Sequence, residues 1–111
     1  MGAALLFSLH DDIRHVVVVD ANGNVVSIGS RAKTAWSEDI IKRFSGLMAA
    51  VIFGICEKVQ DVAGHLNHIQ IDYEKMRVFI VRRKEKIYII STRKNIPRDA
   101  VNKMIELVGK L

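Results

Sequence analysis

Residues 15–29 read HVVVVDANGNVVSIG, and this stretch decides the fold class. Two valine-rich runs flank Asn22 and Gly23, a dipeptide that favours the positive φ angles of a type I′ turn. The stretch therefore predicts a β-hairpin. Its first strand, residues 15–20, contains four consecutive valines, which is typical of a strand covered on both faces of its sheet.

A long helix is predicted to follow the hairpin. Ser37 is a suitable N-cap, and the two acidic residues after it favour the first helical turn. The helical pattern then continues up to Gly64, which predicts its end. Gly46 and Gly54 lie inside this helix at a cost of about 1 kcal/mol each. They either mark the close approach of another backbone or are simply tolerated.

After Gly64 the apolar residues recur at every second position. Three strands of an antiparallel meander are predicted at residues 65–72, 76–83 and 86–92. Pro97 predicts the start of a terminal helix, and residues 3–13 are predicted to form a short leading helix.

The order of these elements predicts an α/β fold of the α+β type. Five antiparallel strands form one sheet, with the long central helix on one face and the terminal helices on the other. The chain has 111 residues, of which 50% are hydrophobic. This supplies the core of one domain, so residues 1–111 are predicted to form a single domain.

The cysteine count and the apolar runs bear on the compartment. Cys56 is the only cysteine, so no internal disulfide is possible, which fits a reducing environment. The longest uncharged run, residues 44–56, has 13 residues, whereas a membrane span needs about 20. A soluble cytoplasmic protein without a membrane span is predicted.

The central helix carries more apolar surface than one sheet can cover. Two apolar stripes run along it about 80° apart at 100° per residue, whereas packing on a sheet needs an arc of only about 100°. The surplus, assigned to Ile41, Met48 and Ile52, is predicted to contact a partner, most simply a second copy. The first stripe comprises Ile40, Phe44, Leu47, Val51, Ile55 and Val62; the second comprises Ile41, Met48, Ile52, Cys56 and Val59.

The hairpin VVVVDANGNVVSIGS, the helix SGLMAAVIFGICEKV and the closing three strands and helix together resemble the roadblock/dynein-light-chain family, part of the roadblock–longin–profilin-like group. The resemblance implies a non-catalytic homodimer built from the central helices and the strands that follow them. It also implies a platform for small Ras-like GTPases or motor complexes. The implied dimer interface comprises Ile41, Ser45, Met48, Ala49, Ile52, Cys56, Val59, Leu66, His68 and Gln70.

Positive charge is concentrated in the C-terminal part of the chain. Residues 65–111 carry 11 Lys or Arg and 5 Asp or Glu, which favours an acidic partner. Nucleic-acid binding through this patch is the main alternative function, since phosphates need such cations and Tyr73, Phe79 and Tyr88 are candidate stacking residues. The predicted basic patch comprises Arg82, Arg83, Lys84, Lys86, Arg93 and Lys94.

Catalytic motifs are not evident in the sequence. It has no phosphate-binding loop, and its histidines lack zinc-site spacing. Cys56 is predicted to be a buried thiol, since apolar residues surround it. No enzymatic activity, cofactor or metal is predicted, and a profilin-like domain that senses a small ligand remains a second alternative. Arg31, in the loop before the central helix, is a candidate arginine finger toward a GTPase.

Overall fold

A computed structural model describes residues 2–32 and 36–111 of the chain. The helices and strands follow the predicted order. They are α1 (Gly2–Phe7), β1 (Ile13–Asp20), β2 (Val25–Ser30), α2 (Glu38–Ala49), α3 (Gln60–Ala63), β3 (His68–Asp72), β4 (Met76–Arg83), β5 (Lys86–Arg93) and α4 (Arg98–Val108).

The five strands form one antiparallel sheet in the order β2-β1-β5-β4-β3. The predicted α+β architecture is confirmed, because helices cover both faces of this sheet. The first hairpin and the C-terminal meander are also where the sequence predicts them. β2 and β3 are the two edge strands, so each has one side without a neighbouring strand of this sheet.

Two hydrophobic cores lie on opposite faces of the sheet. On β1, Val16 and Val18 point into a core closed by α1 and α4. Val17 and Val19 point into a second core under the central helix. The four consecutive valines are therefore buried on both faces, as the uninterrupted apolar run predicts.

The loop between β1 and β2 differs from the predicted type I′ turn. Gly23 has a φ of 85°, whereas Asn22 does not have a positive φ. The backbone N–H of Asp20 donates to the carbonyl of Asn24 at 2.9 Å, which closes a loop of three residues. The Asp20 carboxylate accepts from the backbone N–H groups of Asn22 and Asn24. These two side-chain bonds favour the longer loop, with glycine at the position that needs positive φ.

The Gly23 loop packs closely against the central helix. A Cβ atom at Gly23 would lie 3.2 Å from the Cα of Gly46, whereas a Cβ at Gly46 or Gly54 would meet nothing within 4 Å. Another backbone therefore does approach Gly46, while Gly54 is simply tolerated.

The central helix (residues 38–63) is not a regular α-helix throughout. Ser37 caps its N-terminus, where its Oγ accepts from the backbone N–H of Ile40 at 3.2 Å, as predicted. After α2 the backbone passes through a π-helical segment, Ala50–Ile55, and a 3-10 segment, Cys56–Val59, before α3. It ends at Gly64, whose φ is 81°. The π turn changes the number of residues per turn, and beyond it Val59 is exposed although its predicted stripe-mates Ile41 and Ile52 are buried.

Two predicted elements are longer than the observed ones. β3 begins at His68 rather than at residue 65, and α1 ends at Phe7 rather than at residue 13. Over the ranges that the structure describes, none of the helices combines the length and apolar character required to cross a bilayer.

Candidate interaction surface

One side of the central helix exposes large apolar side chains. Their exposed fractions are 56% at Ile40, 64% at Leu47, 65% at Ile55, 58% at Val59 and 95% at Val62. Two half-buried residues, Phe44 and Val51, lie among them on the same side. We call this side the apolar face. It comprises Ile40, Phe44, Leu47, Val51, Ile55, Val59 and Val62.

The sequence-based assignment of the two stripes is therefore corrected. Ile41, Ser45, Ala49 and Ile52 are at most 5% exposed, because they pack against the sheet of their own chain. They are not available to a partner, although all four were assigned to the implied interface. The small side chains at residues 45 and 49 let the helix lie close to the strands. For this reason the stripe that contains them, rather than the other one, packs on the sheet.

The remaining residues of the implied interface are accessible to different extents. Val59 belongs to the apolar face, while Met48 and Leu66 are half-buried against the core under the helix. Cys56 is also only half-buried, so the prediction of a fully buried thiol is wrong. The 3-10 segment that begins at Cys56 turns it away from the sheet.

The apolar face continues into a groove at the start of the central helix. The groove has a volume of about 460 Å³ and lies between α2 and the turn that joins β3 to β4. Its lining is mostly apolar and includes three aromatic rings, together with the charged residues Glu74 and Lys75 of the β3–β4 turn. The apolar lining residues are Trp36, Ile40, Phe44, Tyr73, Met76 and Val78.

The β3 edge lies beside this groove. Ile69 and Ile71 pack toward the central helix, whereas His68 and Gln70 are exposed and point toward α4, where they line a second groove. The Asp72 carboxylate at the end of β3 accepts from the Lys94 ammonium and from Arg77 Nε. These two donors, Lys94 first, lower the pKa of Asp72 below its usual value. The strand is thus fixed at its end while its outer edge remains open.

The opposite edge, β2, has a different character. Its sequence, VVSIGS, contains no charged residue, and Val26 and Ile28 are 53% and 48% exposed. A groove of about 330 Å³ separates β2 from Ile41 and Lys42 of the central helix. Edge strands without charges are uncommon, because charges discourage pairing with other chains.

The predicted basic patch is not one surface. Arg83 and Lys86 pair across the β4–β5 turn, whereas Arg93 pairs with Met76 at the other end of the sheet. Lys86 and Arg93 lie seven positions apart along the strand, which corresponds to about 23 Å. The prediction of a continuous patch is therefore wrong, because β5 carries its two basic ends apart.

Half of the predicted basic residues are also paired with acidic side chains. Arg82 Nη1 lies 2.6 Å from Glu57 Oε1 on the central helix, and its guanidinium stacks over Phe53 at 4.7 Å. Arg93 contacts Asp12 at 3.3 Å, and Lys94 contacts Asp72. Such pairing reduces the charge available to phosphates, which weakens the nucleic-acid alternative.

Arg31 has a structural position that does not suit an arginine finger. Its Nη2 donates to the carbonyls of His10 at 2.6 Å and Ile13 at 2.9 Å. Its Nε also donates to the carbonyl of Ile13, and the guanidinium lies 4.7 Å from the centre of the Phe7 ring. Arg31 thus joins the α1–β1 loop to the end of β2, and this role replaces the catalytic one.

Arg31→Ala is expected to lower the free energy of unfolding by about 1–3 kcal/mol, because the partly buried carbonyls of His10 and Ile13 lose a charged donor. The matched control is Arg43→Ala, since Arg43 is exposed and forms a surface ion pair with Asp39 one turn away; its expected cost is about 0.5 kcal/mol or less. Urea unfolding of both variants measures the difference. Equal costs would contradict the structural role of Arg31.

His15 is the buried polar residue next to the groove that Trp36 lines. Its Nδ1 lies 2.7 Å from Ser91 Oγ, and its ring stacks on Trp36 with centroids 4.7 Å apart. Burial, with a smaller contribution from the charge of Arg14, lowers the pKa of His15 below 6.5. The neutral imidazole is therefore the form that the fold accommodates.

We expect the free energy of unfolding to fall as the pH drops below about 6.5. Below this pH the unfolded chain binds a proton at His15, whereas the folded chain does not, because its His15 pKa is lower. The folded state is therefore favoured fully above pH 6.5, and this advantage decreases as the pH falls toward the pKa of His15 in the folded state. His15→Asn should flatten the pH profile between 7 and 5. The otherwise unmodified chain, measured over the same pH range, is the reference. An unaltered slope in His15→Asn would contradict this assignment.

A metal centre finds no support among residues 2–32 and 36–111, where no three His, Cys, Asp or Glu side chains converge to hold an ion. The two histidines nearest in sequence, His65 and His68, are both exposed.

Comparison with known proteins identifies the fold. No family model matches the sequence, and no curated protein matches it either. Among solved structures, a Roadblock/LC7 domain from Streptomyces avermitilis has a TM-score of 0.75 at 9% identity, covering 96% of this chain and 88% of that one. MglB from Myxococcus xanthus has a TM-score of 0.72 at 13% identity, with 98% and 92% covered.

Profilin II from Acanthamoeba castellanii is similar at a lower level. Its TM-score is 0.58 at 12% identity, with 90% of this chain and 84% of that chain covered. The chain therefore has a roadblock/LC7-type fold, and profilin has a related one. The resemblance drawn from the sequence is confirmed at the level of the fold.

Proposed function

We propose that this chain is a non-catalytic interaction platform that acts as a homodimer and binds a small Ras-like GTPase or a motor complex. The observation that carries the proposal is the apolar face of the central helix, which lies on the same side as the apolar groove and the open β3 edge. Exposed apolar surface of this extent marks an interface in a soluble protein.

A second copy is the occupant that best fits this surface. The apolar face spans residues 40–62, which is about 33 Å of helix at 1.5 Å per residue. A two-fold axis near the middle of this face would place the apolar faces of the two copies against each other. Each copy would then bury its own apolar face against the same residues of its partner. Full burial of a valine, leucine or isoleucine contributes about 1.5–3 kcal/mol, and five such residues are about half exposed or more in the single chain.

Association between copies also agrees with the fold. One solved structure with this fold is an MglB in a tetrameric arrangement. The β3 edge supports the same symmetry, because two antiparallel β3 strands related by a two-fold axis would pair with each other and join the two sheets, leaving neither β3 edge open.

The GTPase part of the proposal rests on the roadblock-type resemblance. A platform of this kind acts by holding the partner's own residues, since the Arg31 guanidinium is occupied by backbone carbonyls. The chain therefore needs no catalytic group of its own.

Light scattering coupled to size-exclusion chromatography tests the homodimer. We expect a mass near twice the 12.5 kDa of the chain at tens of micromolar. A monomer throughout that concentration range would contradict the proposal. A pull-down of a small Ras-like GTPase from the same organism, loaded with GTP or GDP, then tests the partner; no binding of either form would leave the dimer but remove the GTPase.

A further inference from the structure

A second groove runs along α4 on the sheet face opposite the central helix. Two adjoining cavities of about 330 and 470 Å³ lie between α4 and the β3–β4 strands. They share His68, Asn102 and Ile105, so they form one groove that extends from Arg98 to Gly109. α4 has 11 residues, which makes the groove about 16 Å long. We call it the α4 groove.

One end of the α4 groove is rich in hydrogen-bond donors. β3 contributes His68 and Gln70, β4 contributes Arg77, and α4 contributes Arg98 and Asn102. None of the residues that line this end is acidic. Arg77 forms an ion pair with Asp72 through its Nε alone, at 3.3 Å, so this pair leaves the two terminal nitrogens of the Arg77 guanidinium for another acceptor.

Strand register and helix spacing bring these donors together. Gln70 lies opposite Phe79, and Asp72 lies opposite Arg77, in the β3–β4 ladder. Side chains two residues apart on a strand share a face, so Arg77 stands beside Phe79 under α4. Arg98 and Asn102 are four residues apart and share one side of the helix. The first turn of α4 adds the positive end of the helix dipole.

The floor and wall of the α4 groove are apolar. Phe79 and Val81 of β4 form the floor and are almost fully buried, and Val101 and Ile105 of α4 form the wall. The groove thus combines an apolar strip with cationic donors at one end. The other end contains Glu106, which pairs with Lys110 at 3.3 Å, and Arg82, whose charge is paired with Glu57.

We propose that the α4 groove binds an acidic, amphipathic peptide segment of a partner protein. Carboxylates of the segment pair with Arg77 and Arg98, and an apolar side chain packs on the strip toward Ile105. The length of the groove and its open ends suit a peptide. A single-stranded nucleic acid would need exposed aromatic faces for stacking, and the aromatic ring in this groove, Phe79, is only 1% exposed. The groove lies on the sheet face opposite the central helix, so a second copy on the apolar face does not cover it, although β3, which lines the groove, is also the edge strand that the proposed homodimer pairs.

The test uses a defined probe: a blocked 12-residue peptide of alternating Glu and Leu, with a Gln-and-Leu peptide as its uncharged counterpart. ¹⁵N NMR spectra of the full chain follow the side-chain amides of Gln70 and Asn102 and the Nε–H groups of Arg77 and Arg98. We expect saturable shifts of these signals with the acidic peptide and none with the uncharged one. Equal binding of the two peptides, or shifts confined to the β4–β5 turn, would overturn the proposal.

A matched pair of variants separates the groove from general charge attraction. Arg98→Gln should weaken the acidic peptide about tenfold, the size of one charge-assisted hydrogen bond. Lys103→Gln removes the same charge from the same helix at an exposed position that does not line the groove, and should weaken it less than about twofold. Equal losses in the two variants would overturn the site. Light scattering of each variant reports the homodimer separately.

Discussion

Leu47→Glu is expected to raise the dissociation constant of the proposed dimer at least about a hundredfold, which corresponds to about 2.7 kcal/mol. Leu47 is 64% exposed and lies in the first half of the apolar face. At a two-fold interface every substitution is present twice, so two carboxylates would be moved out of water without partners. Light scattering at tens of micromolar should show a monomer with an unchanged circular dichroism spectrum.

The control for Leu47→Glu introduces the same residue on another side of the helix. Lys42 is exposed and faces the β2 edge, so Lys42→Glu should lose only its surface pair with Glu38, worth a few tenths of a kcal/mol. It should remain a dimer. If both variants remain dimers, the apolar face is not the interface; if both are monomers, added negative charge alone prevents association.

Ile52→Ala is expected to lower the free energy of unfolding by about 2–5 kcal/mol, because it leaves a cavity in the core. Ile52 is on the central helix and is fully buried against the sheet. Ile55→Ala removes the same atoms three residues further along, where the side chain is 65% exposed, and should cost about 0.5 kcal/mol or less. Urea unfolding of both substitutions in the Leu47→Glu background measures the single chain without any contribution from association.

The same pair of residues also distinguishes packing from association. In the otherwise unmodified chain, Ile55→Ala should weaken the dimer while Ile52→Ala should act mainly on folding. The opposite pattern, with Ile55 essential for folding and Ile52 neutral, would restore the assignment made from the sequence and contradict the observed orientation of the helix.

The fold was accessible from the sequence because its strands are unambiguous. Four consecutive valines in β1 require cover on both faces of the sheet, and the alternating pattern after Gly64 leaves few ways to arrange three short strands. The antiparallel pairing of the strands and the helical layer on each face of the sheet follow from these features. Ser37 and Gly64 fix the two ends of the central helix by capping and by positive φ.

The candidate site was less accessible, for a specific physical reason. Both stripes of the central helix are apolar, and periodicity alone does not say which one packs on the sheet. Ser45 and Ala49 decide it, since their small side chains permit close contact. The three-residue loop at Gly23 and the bonds from Arg31 to backbone carbonyls depend on atoms that sequence spacing does not describe.

The predicted basic patch was wrong because it grouped residues that are close in sequence but lie at the two ends of a strand. The cations of the β4–β5 turn and those that end β5 are close along the chain but lie at opposite ends of the sheet. The α4 groove shows the reverse case. Arg77 and Arg98 are far apart in sequence, yet the β4–β5 hairpin and α4 bring them to one cavity.

The open β2 edge has a consequence for higher-order assembly. A two-fold axis at β3 uses one edge of each sheet and leaves β2 at both ends of a ten-stranded ribbon. No charged residue interrupts VVSIGS, so each end resembles a template for a further strand. The proposed dimer is therefore closed at its centre, where the β3 strands pair, and open at the two β2 edges. A third chain, or a strand from a partner, could add to either β2 edge without disturbing the symmetric core.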